Sequence, residues 1–224
     1  MDYGNYNGGG YRPAGYSAHE RWLMGWLEPI ELTAATTVSS VPALNDQPQA
    51  YLIRNDGYDN EYYIVENRQQ QGWDSSLPGS GLVVFHVDFD PDVWTSVLTC
   101  PNHPDYRDDD GQIVPAIERY NLFHANNSTS YSKWPYPYNS NDSLTNTSVP
   151  AATLNNANTD GSMLMNKSLY DMRVENGLAS FRFANGHETA VAAIEAEGTP
   201  QILYRLGPIM ILRYPNGTIK KVVN

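Results

Sequence analysis

The chain has 224 residues, enough for one large domain or for one domain with a small appendage. A hydrophobic content of 41% with 17% charged residues excludes an intrinsically disordered chain. The 25 acidic and 14 basic residues leave a net charge of −11, which repels phosphates and excludes a general nucleic-acid binder as partner. Sixteen Tyr and five Trp, among many Asn, Ser, Thr, Gly and Pro, point to a mainly β, loop-rich fold. Cys100 is the one cysteine, so no intramolecular disulfide forms. No apolar run is long enough to span a membrane. The opening MDYGNYNGGGYRPAGY has neither the basic nor the apolar region of a secretory signal peptide.

In chain order, residues 1–16 read as an irregular Gly-, Tyr- and Asn-rich loop. Ser17 and Glu20 form a capping box that opens a short helix through about Met24. Gly25 ends it and Pro29 prevents its resumption. Trp22, Leu23 and Trp26 supply the apolar stripe by which this helix is expected to pack, with His19 solvated or capping. His19-Glu20 begins like the zinc-peptidase motif H-E-x-x-H, but Leu23 stands where the second imidazole is required.

From Glu31 the pattern turns to strands. IELTAATTVSSV predicts one pair, AYLIRN another strand, and DGYDNEYYIVENR a turn feeding an alternating strand. LVVFHV, after the glycine-rich LPGSG, is an unbroken apolar run expected to form a central strand buried on both faces. Residues 99–160 read as a long polar loop, a length that suggests function or ion stabilisation. SLYDMRVENGLASFRF predicts a β-hairpin turning at Glu175-Asn176-Gly177. Past Asn185-Gly186 a small-residue linker precedes QILYRLGPIMILRYPNGTIKKVVN, a compact β-meander with turns at Gly207-Pro208 and Asn216-Gly217. The expected organisation is thus a β-rich domain over 1–184 with one short N-terminal helix, then a small β segment over 185–224.

Several residues could carry chemistry. His86 and Asp88, with Asp90, alternate along one strand face and could present metal ligands together. Asp105, Asp108, Asp109 and Asp110 before Gly111 are oxygen-rich in the way calcium prefers. Tyr106 and Ile117, however, occupy the first and last ligand positions of an EF-hand register ending on that glycine. A Ser-His-Asp site has no support, since no G-x-S-x-G elbow occurs. Trp73, Trp94, Trp134, Tyr136 and Tyr138 suggest a second class of function. They fit a free-standing secreted β-sandwich module that stacks its aromatic loops on carbohydrate or binds a surface partner, with calcium as a stabiliser.

Met1-Asp2-Tyr3, YNGGGYRPAGYSAHERWLMGWLEP, YYIVENRQQQGWDSSLPGSGLVVFHVD and NGLASFRF together resemble the zinc metallopeptidases of the immune inhibitor A type. In that family an H-E-x-x-H helix, a third acidic ligand and a Met-turn precede the β-rich C-terminal half of the catalytic domain. The resemblance implies that Met1 occupies the Met-turn, with Tyr3 beside it at the cleft, and that YSAHERWLMGW is the helix after the zinc site. The zinc ligands and general base would then lie upstream, in a catalytic half of the same polypeptide that acts on protein or peptide substrates. This chain would be inactive alone. The tail LYRLGPIMILRYPNGTIKKVVN is similar to the sorting segments of type nine secretion substrates, implying a secreted or cell-surface protein of a Gram-negative bacterium.

Overall fold

The computed structural model describes residues 4–95, 101–103, 105–107, 110–114, 116–128, 134–186, 201–206, 209–213 and 219–223. Contacts divide the chain into two compact units, Met1–Asn185 and Gly186–Asn224. The fold is mainly β with short helices, as the composition predicts.

A 3-10 segment at Gly4–Gly10 precedes helix α1 (Ala18–Leu23). The capping box forms: Glu20 N donates to Ser17 Oγ, and Ser17 N donates to Glu20 Oε2 at 2.7 Å. Strands β1 (Ile30–Glu31), β2 (Thr36–Val41), β3 (Ala50–Asn55), β4 (Tyr58–Arg68) and β5 (Gly81–Asp88) follow, with a 3-10 turn at Gly72–Ser76 between the last two. Helix α2 (Pro91–Thr95) leads to four two-residue strands: β6 (Asn102–His103), β7 (Tyr106–Arg107), β8 (Ile113–Val114) and β9 (Ile117–Glu118). Then come β10 (Tyr120–Phe123), β11 (Lys167–Glu175) and β12 (Leu178–Asn185).

Five strands form one sheet in the order β1-β3-β4-β5-β10. The LVVFHV run lies inside it, between β4 and β10, as its unbroken hydrophobicity predicts. A second sheet, β11-β12-β2, covers one face. Tyr63, Val65, Leu82 and Val84 of the large sheet share a core there with Leu169, Met172, Phe181 and Phe183. The other face, carrying Leu52, Ile64 and Val87, packs under Ala18, Leu27 and Leu44. Helix, large sheet and small sheet therefore make three layers.

Three expectations are corrected. The strands of IELTAATTVSSV do not pair with each other: β1 runs parallel to β3, while β2 crosses to the second sheet and pairs with β12. A bulge at the left-handed Ser40 (φ 58°) lets Val38 and Val41, three residues apart, both point inward. Helix α1 does not pack by Trp22, Leu23 and Trp26 as a stripe. Leu23 and Trp26 are 54% and 61% exposed, Trp22 is half-buried, and Ala18 and His19 are fully buried. The helix docks by its first turn because Ala18 N donates to the buried Glu66 carboxylate at 2.5 Å. His19, expected to be solvated or capping, is carried beneath that turn and fully buried.

The polar region over 99–160 is also more than surface loop. Tyr136, Leu144, Ala152 and Leu154, with Met165 just beyond, are buried in the main core. Its asparagines bond to backbone carbonyls that would otherwise be orphaned: Asn141 Nδ2 donates to Ala125 O and Val149 O, and Asn158 Nδ2 to Leu164 O and Met165 O. The hairpin of β11 and β12 turns at Asn176 (φ 53°) and Gly177 (φ 81°), the two positive φ angles of a type I′ turn.

The second unit is a three-stranded antiparallel meander, β13 (Gln201–Leu206), β14 (Ile209–Arg213) and β15 (Ile219–Val223). Its expected turns at Gly207-Pro208 and Asn216-Gly217 fall largely or wholly outside the described residues, as does Cys100. Among the described residues no helix is long and apolar enough to cross a membrane.

Candidate functional site: an apolar pocket beside a buried ionic anchor

The strand β4 ends in Glu66-Asn67-Arg68, all buried. Arg68 pairs with Glu66 at 2.6 Å and with Asp74 at 2.8 Å, and donates to the carbonyls of Gly15 and Tyr16. Asp74 in turn accepts from Gly15 N and Asn45 Nδ2. Burial alone would lower the Arg68 pKa, but the two carboxylates outweigh it and raise it, so the guanidinium stays charged. Every arm of this buried charge is matched, the condition under which such a cluster is tolerated. It clamps the extended segment before α1 onto the sheet.

Beside the clamp lies a cavity of about 310 Å³. Val83, Phe85 and Leu122 form its floor on the sheet face that α1 leaves uncovered, and Leu77, Pro78 and Pro135 close its sides. Two glycines allow that closure: a Cβ on Gly79 would meet Trp134 Cε3 at 2.6 Å, and one on Gly81 would meet Tyr136 O at 2.3 Å. At its polar end the carboxylates of Glu20 and Glu66 already accept protein hydrogen bonds. Tyr120 Oη lies 2.8 Å from Ser17 Oγ, and burial pushes its pKa up, so it remains a neutral phenol. The cavity's walls are thus mainly apolar, which suits an apolar group as occupant.

At the opposite end of β4 and β5 is a second buried network. Glu61 Oε1 lies 2.6 Å from His86 Nε2 and accepts from Asn155 N at 2.5 Å; Oε2 accepts from Asn55 Nδ2 and Asn156 N, both at 3.0 Å. Burial would raise the Glu61 pKa, but these hydrogen bonds outweigh it and hold the carboxyl below its usual range. Asp88 accepts from Arg119 Nη1 at 2.8 Å and from the side-chain amides of Asn155 and Asn156. Arg119 Nη2 approaches Asp90 at 3.7 Å. Glu61, itself held by His86, and Asp88 thus staple the loop at Asn155-Asn156 to the sheet. Sequence reading missed Glu61, the residue opposite Asp88 in the β4–β5 register.

A third buried group is His19. Its ring is surrounded by Tyr62, Phe89, Trp94 and Tyr120, with the Trp94 ring 5.0 Å away, centroid to centroid, and edge-on. Nε2 reaches Tyr62 Oη at 3.2 Å, while Nδ1, like Trp94 Nε1, has no hydrogen-bond partner among the described residues. Burial lowers the His19 pKa to about 4, so the ring is neutral at physiological pH.

Of the other predicted site residues, Asp105 is exposed and accepts from Ala116 N at 2.5 Å, and Asp110 is exposed. Asp108, Asp109, Met1 and Tyr3 lie outside the described residues. Among the described residues no three His, Cys, Asp or Glu side chains converge as metal ligands. The aromatic set divides. Tyr136 is fully buried and Trp94 belongs to the cage around His19, whereas Trp73 and Trp134 are exposed and Tyr138 is half-buried beside Trp134.

Fold and pocket together define a layered β protein with an apolar cavity on the exposed part of its larger sheet. The chain matches no known family model, no curated protein and no solved structure.

Proposed function

We propose that the chain is the β-rich, non-catalytic half of a secreted zinc endopeptidase resembling immune inhibitor A. One observation carries this reading: the stretches that bear the resemblance, far apart in sequence, meet in one network. Gly15, Tyr16 and Ala18 of the AGYSAHER stretch bond to Glu66 and Arg68 of VENRQQ and to Asp74 of GWDSS. Asn67 Nδ2 between them donates to Gly177 O of NGLASFRF. Residue types that match a family at scattered positions and also contact one another are what a shared architecture requires. The exposed Tyr16, Leu23, Met24 and Trp26 around the end of α1 add an apolar surface of the kind that packs against further protein.

In such an enzyme zinc supplies an activated water for attack on the peptide carbonyl. The described residues provide no ligand set for it, and no step through the metal is assigned to them. Their share is to support the upstream catalytic half and to hold an apolar substrate side chain in the cavity over Val83, Phe85 and Leu122. The tail would act as a type nine sorting segment, placing the protein outside the cell or on its surface.

The reading frame upstream of codon one tests this directly. It is expected to encode H-E-x-x-H within about a hundred residues. The longer product should cleave casein in a chelator-sensitive way, and the 224-residue chain alone should not. An in-frame stop immediately upstream, or zinc-dependent cleavage by this chain alone, overturns the proposal.

A further inference from the structure

Independently of the peptidase reading, we propose that the surface beside Trp134 and Tyr138 is a binding subsite for neutral glycans. The two rings lie 5.5 Å apart, centroid to centroid, at 37°, with Trp134 38% exposed. Tyr138 lines a shallow depression of about 490 Å³, together with asparagine and serine side chains over Ala125 and Val149. Trp134 adjoins it through Tyr138 and through its backbone N–H, which donates to Asn126 Oδ1 at 3.3 Å.

Three features select the ligand class. First, among the described residues no charged side chain lines the depression, although the chain carries a net charge of −11. A site without charge gives no preference to an ionic ligand. Second, the side chains of Asn127, Asn139, Ser140 and Ser143 have no hydrogen-bond partner among the described residues, so amides and hydroxyls remain for a ligand rich in hydroxyl groups. Third, an aromatic face next to such groups matches a sugar ring, which has C–H bonds on its faces and hydroxyls on its rim.

The platform is also held in place before any ligand arrives, which reduces the ordering cost of binding. Trp134 sits against Gly79, and its carbonyl accepts from Ala125 N at 2.9 Å. Tyr136 and Leu82 exchange two backbone hydrogen bonds of 2.8 Å, and Tyr138 and Asn141 exchange two more. Asn141 ties the floor together through Ala125 O and Val149 O. Asn127 (φ 44°) and Asn139 (φ 52°) adopt left-handed backbone on the rim, a conformation that tends to persist where the surroundings enforce it.

The test is calorimetric titration of the 224-residue chain with cellohexaose, laminarihexaose and mannohexaose, and with hyaluronan oligosaccharide as the anionic control. At least one neutral hexaose should bind saturably. Trp134→Ala and Tyr138→Ala should each weaken that binding about tenfold or more. Trp73→Ala, a change at an exposed tryptophan outside the depression, should leave it unchanged. Asn127→Gly with Asn139→Gly, compatible with positive φ, gives a second variant that removes amides without disturbing the aromatic packing, and it too should weaken binding. The proposal is overturned if no neutral hexaose saturates, if only hyaluronan binds, or if binding survives in the Trp134, Tyr138 and double-glycine variants.

Discussion

Arg68 and Asp74 are joined at 2.8 Å, and each side chain is nearly inaccessible to water, at 6% and 2% exposure. The pair joins the end of a central strand to a 3-10 turn, and through the carbonyls of Gly15 and Tyr16 it determines where the N-terminal helix begins. Removing one partner leaves an uncompensated buried charge. Asp74→Ala or Arg68→Ala should therefore destabilise the protein by about 3–5 kcal/mol, measured by urea unfolding. A loss below about 1 kcal/mol would show that solvent reaches the cluster.

His19 makes stability depend on pH. Its folded pKa, lowered to about 4, lies below the unfolded value of about 6.5, so the unfolded chain binds more protons between them. Stability is fully present above about pH 6.5, falls as the pH drops, and levels off below about 4, with about 3 kcal/mol lost to this group. His19→Phe should keep the aromatic packing and flatten the melting temperature across that window. An unchanged pH profile in the variant would assign the acid sensitivity elsewhere.

Glu61 acts in the same direction at lower pH. Its folded pKa is below the ordinary carboxylate value, so its stabilisation is present above that value and lost as the pH falls through the folded one. Glu61→Gln keeps the shape but weakens the contacts to His86, Asn155 and Asn156. It should cost about 2 kcal/mol at neutral pH and reduce the acid-induced loss. Amide exchange at Asn155 and Asn156 should quicken in the variant, since both N–H groups donate to this carboxylate.

Gly81 is a steric test of the cavity wall. A Cβ there would lie 2.3 Å from Tyr136 O, at a φ of 153° that suits glycine. Gly81→Ala should cost about 1–3 kcal/mol and loosen the two hydrogen bonds between Leu82 and Tyr136. A melting temperature equal to the wild type would mean that the loop bearing Tyr136 moves away freely.

What the sequence determined by itself is local. Ser17 and Glu20 start a helix because their side chains reach backbone groups three residues away, and Asn176-Gly177 turns a hairpin because both residues tolerate positive φ. The apolar run at LVVFHV marks a central strand for a similarly short-range reason. It is not buried on both faces as expected: Val83 and Phe85 are only half-buried, because α1 leaves that part of the sheet uncovered. The side of α1 that packs was not legible, because a six-residue helix is oriented by the Glu66 carboxylate, 48 positions from Ala18, more than by its own apolar spacing. Nor was the role of His86 and Asp88, whose partners Glu61, Arg119 and Asn155 come from a neighbouring strand and two distant loops. The apolar pocket, the buried Tyr136 and the exposed Trp134 were decided by tertiary structure alone. Which of two neighbouring aromatics faces water depends on what the chain packs against, and those contacts join residues that no sequence window contains.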